Sequence, residues 1–141
     1  MKRRRAREYA LQMLFQLDLS QCPLTSEFIK DFWADKKEES DVKDFANNLV
    51  EGTWKNLDKI DELIKKSAEH WSLKRMAAVD RSILRFATYE ILYRSDIPSS
   101  VAINEAIEIA KKYSTLDSAP FINGILDRIS KSQEATKVKK M

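Results

Sequence analysis

The chain has 141 residues, 43% of them hydrophobic, and a formal net charge of +3. This size suits one domain with a core of its own, and no run approaches the roughly 18 apolar residues that a membrane span requires. Two glycines and three prolines are too few for the tight turns of a β-sandwich or barrel, so we expect an all-α fold.

The first half of the chain predicts four helices. In the first, from Arg3 to about Leu19, apolar residues recur at the spacing of one buried face: Ala10, Met13, Leu14 and Leu17. The next three helices begin at polar residues that are typical N-caps. These starts are Thr25 or Ser26, then Asp41 or Asp44, then Asp58.

The second half predicts three more helices. The segment from Met76 to about Arg94 is apolar on most sides, which is typical of a central helix. The sixth helix lies within Ser99–Tyr113, with Ser100 or Asn104 as its cap, and the seventh starts near Ser118 to Pro120. Because a glycine inside a helix is unfavourable, we expect another helix to approach closely at Gly124.

The ends of the chain are basic and the middle is acidic. Residues 1–23, 24–70 and 71–141 carry 5 − 2 = +3, 8 − 12 = −4 and 12 − 8 = +4. Such a distribution suits a polyanion bound on one face. We expect one domain over residues 1–132 and a flexible basic tail over 133–141. The single cysteine, Cys22, fits a reducing compartment, and we predict a cytoplasmic protein.

The residues needed for common catalytic and metal sites are scarce. His70 and Cys22, one of each type, have no supporting motif, and the two isolated glycines form no phosphate-binding loop. We therefore expect no metal, no cofactor and no catalytic residue. A binding protein is favoured over an enzyme.

The stretch "RRRAREYA" places Arg3, Arg4, Arg5 and Arg7 at the start of the first predicted helix. On a helical wheel, Phe15 lies away from the buried face, on the side of Arg4. A ring and guanidinium groups together suit single-stranded RNA or a protein partner. Alternatively, Phe15 packs under the second helix and the arginines are solvated. The pattern leaves both readings open.

Two carboxylates, Asp80 and Glu90, fall inside the apolar arc of the fifth predicted helix. A buried carboxylate needs a donor, and we prefer a structural role for Glu90. Near the last helix, Asp117 or Ser118 is a candidate cap, and Phe121 lies beside the core stripe. The N–H groups at that helix start are a possible anion site.

Three segments together resemble one family. They are "RRRAREYALQMLFQLDLS", "DRSILRFATYEILYRSDIPSSVAINEAIEIAKKYS" and "PFINGILDRI", and they resemble the NusB family of bacterial transcription antitermination proteins. The resemblance covers nearly the whole chain except the acidic middle and the tail. It implies two packed three-helix halves, and binding of boxA single-stranded RNA together with NusE, which is also a small-subunit ribosomal protein. It further implies an RNA polymerase complex that suppresses termination, notably in ribosomal RNA operons.

The resemblance also assigns residues. It places Arg3, Arg4, Arg5 and Arg7 in an arginine-rich RNA-binding motif. Phe15 stands where relatives often have tyrosine, in a region of RNA or partner contact, so a phenolic hydrogen bond is lost there. Asp80, Asp117 and Phe121 match the surface that meets NusE and RNA; we assign Phe121 to RNA and the two aspartates to the partner. Alternatives are the RNA-binding domain of an RNA methyltransferase and a purely protein-binding helical module.

Overall fold

The computed structural model describes residues 1–69, 71–132 and 135, and these contain seven α-helices. The helices are α1 (Lys2–Ser20), α2 (Ser26–Trp33), α3 (Ser40–Lys55), α4 (Leu57–Ala68), α5 (Ala78–Tyr93), α6 (Ser99–Tyr113) and α7 (Ser118–Ser130). A single 3₁₀ turn, Leu73–Arg75, interrupts the connection between α4 and α5. The all-α prediction is confirmed.

Helix α5 is the centre of the molecule. Every residue from Ser82 to Leu92 is buried, and α5 packs against α1, α3, α4, α6 and α7. A helix enclosed on all sides needs apolar residues around most of its circumference, which is the pattern that the sequence shows. The prediction of a central fifth helix is confirmed.

The remaining helices form two groups around α5. On one side α1 packs against α3, and on the other α6 packs against α7, which also contacts α4. Helix α2 joins the first group through aromatic contacts, because Trp33 and Phe32 meet Tyr9 edge to face with ring centroids 4.8 and 6.2 Å apart. This arrangement is consistent with the two halves that the resemblance implies.

The predicted start is correct for α2, which has a side-chain cap, and wrong for α3 and α6, whose first turns have no side-chain cap. Thr25 caps α2, its hydroxyl accepting the Phe28 N–H at 3.0 Å. Helix α3 instead begins at Ser40, before both predicted aspartates. Helix α6 begins directly after Pro98, whose carbonyl accepts the N–H groups of Val101 and Ala102. Neither of the two predicted caps of α6 is used.

The close helix approach that the sequence predicts at Gly124 lies at Gly52 instead. A Cβ atom at Gly124 would lie 3.5 Å from Nη2 of Arg128, an ordinary contact within the same helix. The expected approach of another helix at Gly124 is therefore wrong. A Cβ atom at Gly52 would instead overlap the ring of Tyr89, so the close helix contact lies between α3 and α5.

Two sequence predictions concern parts of the chain that the structure covers incompletely. Of the predicted tail, 133–141, only Ala135 is described; it is buried, and its N–H lies 3.3 Å from Oγ of Ser132. The other tail residues, and His70, lie outside the described residues. Among the described helices, none combines the length and apolar character required to cross a bilayer.

Candidate functional site

The arginine run lies in the first turns of α1, which begins at Lys2. The side chains of Arg3, Arg4 and Arg5 are 56%, 32% and 43% exposed. No acidic residue occupies the first turn, so the positive end of the helix dipole adds to the arginine charge. This end of α1 presents guanidinium groups to solvent.

Carboxylates from distant segments pair with all three of these arginines, and Nη2 of Arg3 lies 3.7 Å from Oδ2 of Asp96. Arg5 grips Glu38, in the loop before α3, with Nε and Nη2 at 2.8 and 3.0 Å from the two carboxylate oxygens. These hydrogen bonds lower the pKa of Glu38 to about 2. Arg4 grips Glu105 of α6 in the same way, with Nε at 3.0 Å from Oε1, and lowers the pKa of Glu105. The surface is therefore less positive than the arginine run alone suggests.

Arg7 is enclosed in the protein and pairs with Glu90 of α5. Its Nη2 and Nε lie 2.6 and 2.9 Å from the two oxygens of Glu90, and the side chains are 3% and 0% exposed. Burial raises the pKa of Glu90, and Arg7 opposes that rise. The structural role predicted for Glu90 is confirmed. The guanidinium of Arg7 is therefore shielded from solvent, unlike those of Arg3, Arg4 and Arg5.

A phenylalanine from the middle segment, Phe45, contacts three guanidinium groups near the start of α1. The ring centroid of Phe45, in α3, lies 4.8, 5.3 and 5.0 Å from the guanidinium carbons of Arg3, Arg7 and Arg94. Such cation–π contacts restrict the directions in which a guanidinium group points. Sequence reasoning missed Phe45, because the acidic middle matched the family poorly and nothing was transferred from it.

Phe15 lies two turns beyond the arginines on α1 and is partly exposed. Leu11, on the same side of the helix, is buried at 5% exposure. That side of α1 is therefore covered near Leu11 and partly open at Phe15. A partly exposed ring is compatible with a ligand contact, and the RNA contact of Phe15 stays a prediction.

A groove of about 300 Å³ lies between the α4–α5 connection and the start of α7. Its walls and floor are formed by Trp71, Arg75, Met76, Ala77, Asp80, Thr115, Asp117, Ser118 and Phe121. Trp71 and Phe121 face each other across it, edge to face, with ring centroids 6.4 Å apart. The groove thus brings together three predicted site residues, Asp80, Asp117 and Phe121.

Asp80 fixes the entry to α7. Its two carboxylate oxygens accept hydrogen bonds from the hydroxyls of Ser114 at 2.6 Å and Ser118 at 2.9 Å, and the residue is 8% exposed. The expectation that Asp80 has a donor is confirmed. Asp117 occupies the N-cap position but its side chain makes no capping bond, and Ser118 bonds Asp80 instead. The predicted side-chain cap of α7 is wrong, because no side chain caps the helix and the Ser118 hydroxyl donates to Asp80.

Sequence reasoning missed four exposed residues at or beside the groove. Trp71, Tyr113 and Leu116 are 53%, 42% and 93% exposed, and Arg75 is exposed on the groove wall. The sequence does contain an indication that Trp71 and Leu116 are exposed. Both stand in segments without helical periodicity, where an apolar side chain has no predicted core face to join.

The arginine end of α1 and the groove lie along one seam between α1 and α6. Arg4 pairs with Glu105, and one turn further Glu8 pairs with Lys112 at 2.9 Å. Helix α6 then leads to Ser114, which bonds Asp80. At 1.5 Å per residue, Glu105 and Ser114 are about 14 Å apart along the helix axis.

Comparison with known proteins identifies the family. The sequence profile of the NusB family matches residues 4–131. The transcription antitermination protein NusB of Thermodesulfovibrio yellowstonii is 54% identical over 142 aligned positions, which cover 94% of each chain. That of Symbiobacterium thermophilum is 47% identical, covering 92% of this chain and 89% of the relative.

Solved structures agree with this result. NusB of T. maritima is 40% identical and superposes with a TM-score of 0.86, covering 99% of this chain and 97% of that one. A chain from the crystal structure of the antitermination factors NusB and NusE in complex with dsRNA is 27% identical, with a TM-score of 0.82 over 92% of this chain and 96% of that one. This chain belongs to the NusB family.

Proposed function

We propose that this protein is a transcription antitermination factor that binds boxA single-stranded RNA together with NusE. It acts in an RNA polymerase antitermination complex, notably in ribosomal RNA operons. It works in the cytoplasm as an adaptor and catalyses no reaction. The names of its relatives, which it matches over nearly their whole length, favour this function over the RNA methyltransferase alternative.

The observation that carries the proposal is the seam between α1 and α6. It joins exposed guanidinium groups at the start of α1 to aromatic rings at the groove. Single-stranded nucleic acids are bound by this combination, because phosphates meet cations while bases stack on rings. A module that binds only protein does not require guanidinium groups and aromatic rings along the same seam.

The residues divide into distinct roles. Arg3, Arg4 and Arg5 contact phosphates, and Phe15 and Phe121 offer rings to bases. The bidentate pairs of Arg4 and Arg5 use Nε and Nη2, so the Nη1 edges remain for RNA. Arg7 holds α1 against α5 and does not touch the ligand.

Asp80 and Asp117 belong to the NusE-facing part of the site. Asp80 acts from the floor of the groove, where it holds Ser114 and Ser118 in place. Asp117 is exposed at the start of α7 and is available to a donor on the partner. The related structure that contains both NusB and NusE supports a shared surface of this kind.

The test measures RNA binding by fluorescence anisotropy. Labelled boxA RNA, a scrambled strand and a boxA duplex are each titrated with the protein, alone and with NusE. We expect boxA to bind more tightly than the scrambled strand, and NusE to strengthen boxA binding through a 1:1 complex. Equal affinities for boxA and scrambled RNA, with and without NusE, would contradict the proposal, and binding of NusE alone would favour the protein-binding module.

A matched pair of variants tests the arginine end. Changing Arg3 and Arg5 to Ala removes two exposed cations from the seam. Changing Lys55 and Lys59 to Ala removes two exposed cations from the end of α3 and the start of α4, where Lys55 is about 21 Å along α3 from Asp41. We expect a loss of boxA affinity of about tenfold or more in the first variant, and a much smaller change in the second.

A further inference from the structure

The described part of the connection between α4 and α5, residue 69 and residues 71–77, forms one wall of the groove and has one 3₁₀ turn as its regular structure. Its backbone bonds within the described residues are short-range: Trp71 N–H to Ala68 O at 3.3 Å, Arg75 N–H to Ser72 O at 3.0 Å and Met76 N–H to Leu73 O at 3.2 Å. Glu69 has a φ of 56°, in the left-handed region. A segment of this kind needs support from elsewhere to keep one conformation.

Arg81 of α5 supplies that support. Its Nη1 donates to the carbonyl oxygens of Leu73 at 2.7 Å and Met76 at 3.0 Å, and its side chain is 14% exposed. These carbonyls lie on either side of Arg75. One guanidinium nitrogen therefore closes the turn that presents Arg75, and Trp71 lies two residues before this turn.

Asp18, near the end of α1, holds Arg81 in this position. Its Oδ2 accepts from Nε of Arg81 at 3.1 Å and also from Nη2, while its Oδ1 accepts from Nη1 of Arg85 at 3.0 Å. Arg85 is held in turn by both oxygens of Asp61 in α4, at 2.8 and 2.9 Å. Burial acts to raise the pKa of Asp18, but the two arginines outweigh it and the net pKa is lowered, so the carboxylate stays charged at neutral pH.

The wall that Arg81 supports has the chemistry of an RNA contact. Trp71 is 53% exposed and stands against Phe121, and Arg75 is exposed on the same wall. A ring for a base and a guanidinium for a phosphate favour single-stranded RNA over a protein as the occupant of this wall.

We infer that Arg81, anchored by Asp18, is a positioning residue that holds the 71–77 segment so that Trp71 and Arg75 form a base and phosphate contact beside Phe121. The inference rests on the proposed function and adds two RNA-contacting residues to it. Arg81 itself does not touch RNA. Because Arg81 keeps the wall ordered in the free protein, RNA binding does not have to supply the free energy of ordering it.

The chain contains a matched control for Arg81. Arg85 shares the Asp18 partner, lies one turn away on the same helix and is similarly buried, with a side chain 10% exposed, but its bonds run to Asp18 and Asp61 and not to the connection. Arg81→Gln and Arg85→Gln both remove an ion pair from the network. Only Arg81→Gln releases the carbonyls of Leu73 and Met76.

The first measurement is amide hydrogen exchange of Trp71, Arg75 and Met76 in the full chain. We expect about tenfold faster exchange in Arg81→Gln, because bonds from a charged donor to the connection are lost. Arg81→Lys keeps one charged donor and should fall between Arg81→Gln and the wild type. Arg85→Gln should exchange at these amides within about twofold of the wild type. Unchanged exchange in Arg81→Gln would overturn the inference.

The second measurement is boxA binding by anisotropy. We expect Trp71→Ala and Arg81→Gln each to weaken binding about tenfold, the effect of losing one base stack. In the double variant the loss should be less than the product of the two, because both changes remove the same contact. Arg85→Gln should bind boxA like the wild type once the folded fraction is matched.

The outcomes separate the inference from the function on which it rests. Equal losses in Arg81→Gln and Arg85→Gln would show general destabilisation and overturn the inference, as would a loss of NusE binding with RNA binding intact. Failure of the wild-type chain to bind boxA would contradict the proposed function instead. In that case the exchange measurement still decides whether Arg81 holds the connection.

Discussion

At the scale of single residues, the buried pair of Arg7 and Glu90 gives the clearest separation between a structural and a ligand-binding arginine. Arg7→Leu leaves an unpaired buried carboxylate, and we expect it to lower the free energy of unfolding by about 3–5 kcal/mol. Replacing both residues with leucine should recover most of this loss, since no charge is then left buried. Urea unfolding measures both variants.

The pH dependence of Arg7→Leu provides a second check. Burial raises the pKa of Glu90, and removing Arg7 should raise it further. An acid whose folded pKa is raised loses stability as pH rises, so the deficit of Arg7→Leu should grow between about pH 5 and pH 8. Arg3→Leu, which removes a 56% exposed arginine, should show neither the loss nor the trend.

Replacing each of the two glycines with alanine should change stability in opposite directions. A methyl group at Gly52 collides with the ring of Tyr89, whereas one at Gly124 meets only an ordinary contact with Arg128. We expect Gly52→Ala to cost about 1–3 kcal/mol through overpacking. Gly124→Ala should stabilise by about 0.5–1 kcal/mol because alanine favours the helix. Urea unfolding of both variants decides, and changes of the same sign would contradict the packing described between α3 and α5.

At the scale of elements, the ion pair between Arg5 and Glu38 joins α1 to the loop before α3. Hydrogen bonds from Arg5 lower the pKa of Glu38 from 4.5 to about 2. A depressed acid pKa contributes stability that is fully present above the unfolded value and is lost as pH falls toward the folded value. The unfolding free energies of wild type and Glu38→Gln should therefore differ above about pH 5 and converge near pH 2. Glu39→Gln, the exposed neighbour, should differ less; a constant gap for Glu38→Gln across this range would contradict the pairing.

The same scale shows what the sequence can and cannot predict. Apolar periodicity and a capping hydroxyl such as Thr25 act locally, so the helices and the central position of α5 are predictable. The ion partners of Arg4 and Arg5 lie far away in the sequence, and only packing brings them close. Arg7 is an intermediate case. It falls three residues before Ala10, on the buried stripe, and that spacing was a readable sign that it faces the core.

At the scale of the whole molecule, the number of accessible arginines sets the salt dependence of RNA binding. Four arginines on single-stranded RNA predict a slope of log affinity against log salt near −3, from about 0.7 for each phosphate. Because Arg7 is 3% exposed and bound to Glu90, three arginines remain at the end of α1, and their contribution falls to about −2.

The groove wall that Arg81 supports adds one cation, Arg75, whose contribution to the salt dependence of RNA binding can be measured separately. If Arg75 contacts a phosphate, the whole seam gives a slope near −3 again, and Arg75→Gln should reduce its magnitude by about 0.7. Arg7→Lys, which keeps the buried charge, should leave the slope unchanged while lowering stability, since lysine lacks the planar fork that grips Glu90. Anisotropy titrations at several salt concentrations measure these slopes. A wild-type slope that Arg75→Gln leaves unchanged would place the RNA on the arginine end of α1 alone, and a slope that Arg7→Lys alters would mean that the α1–α5 pair opens when RNA binds.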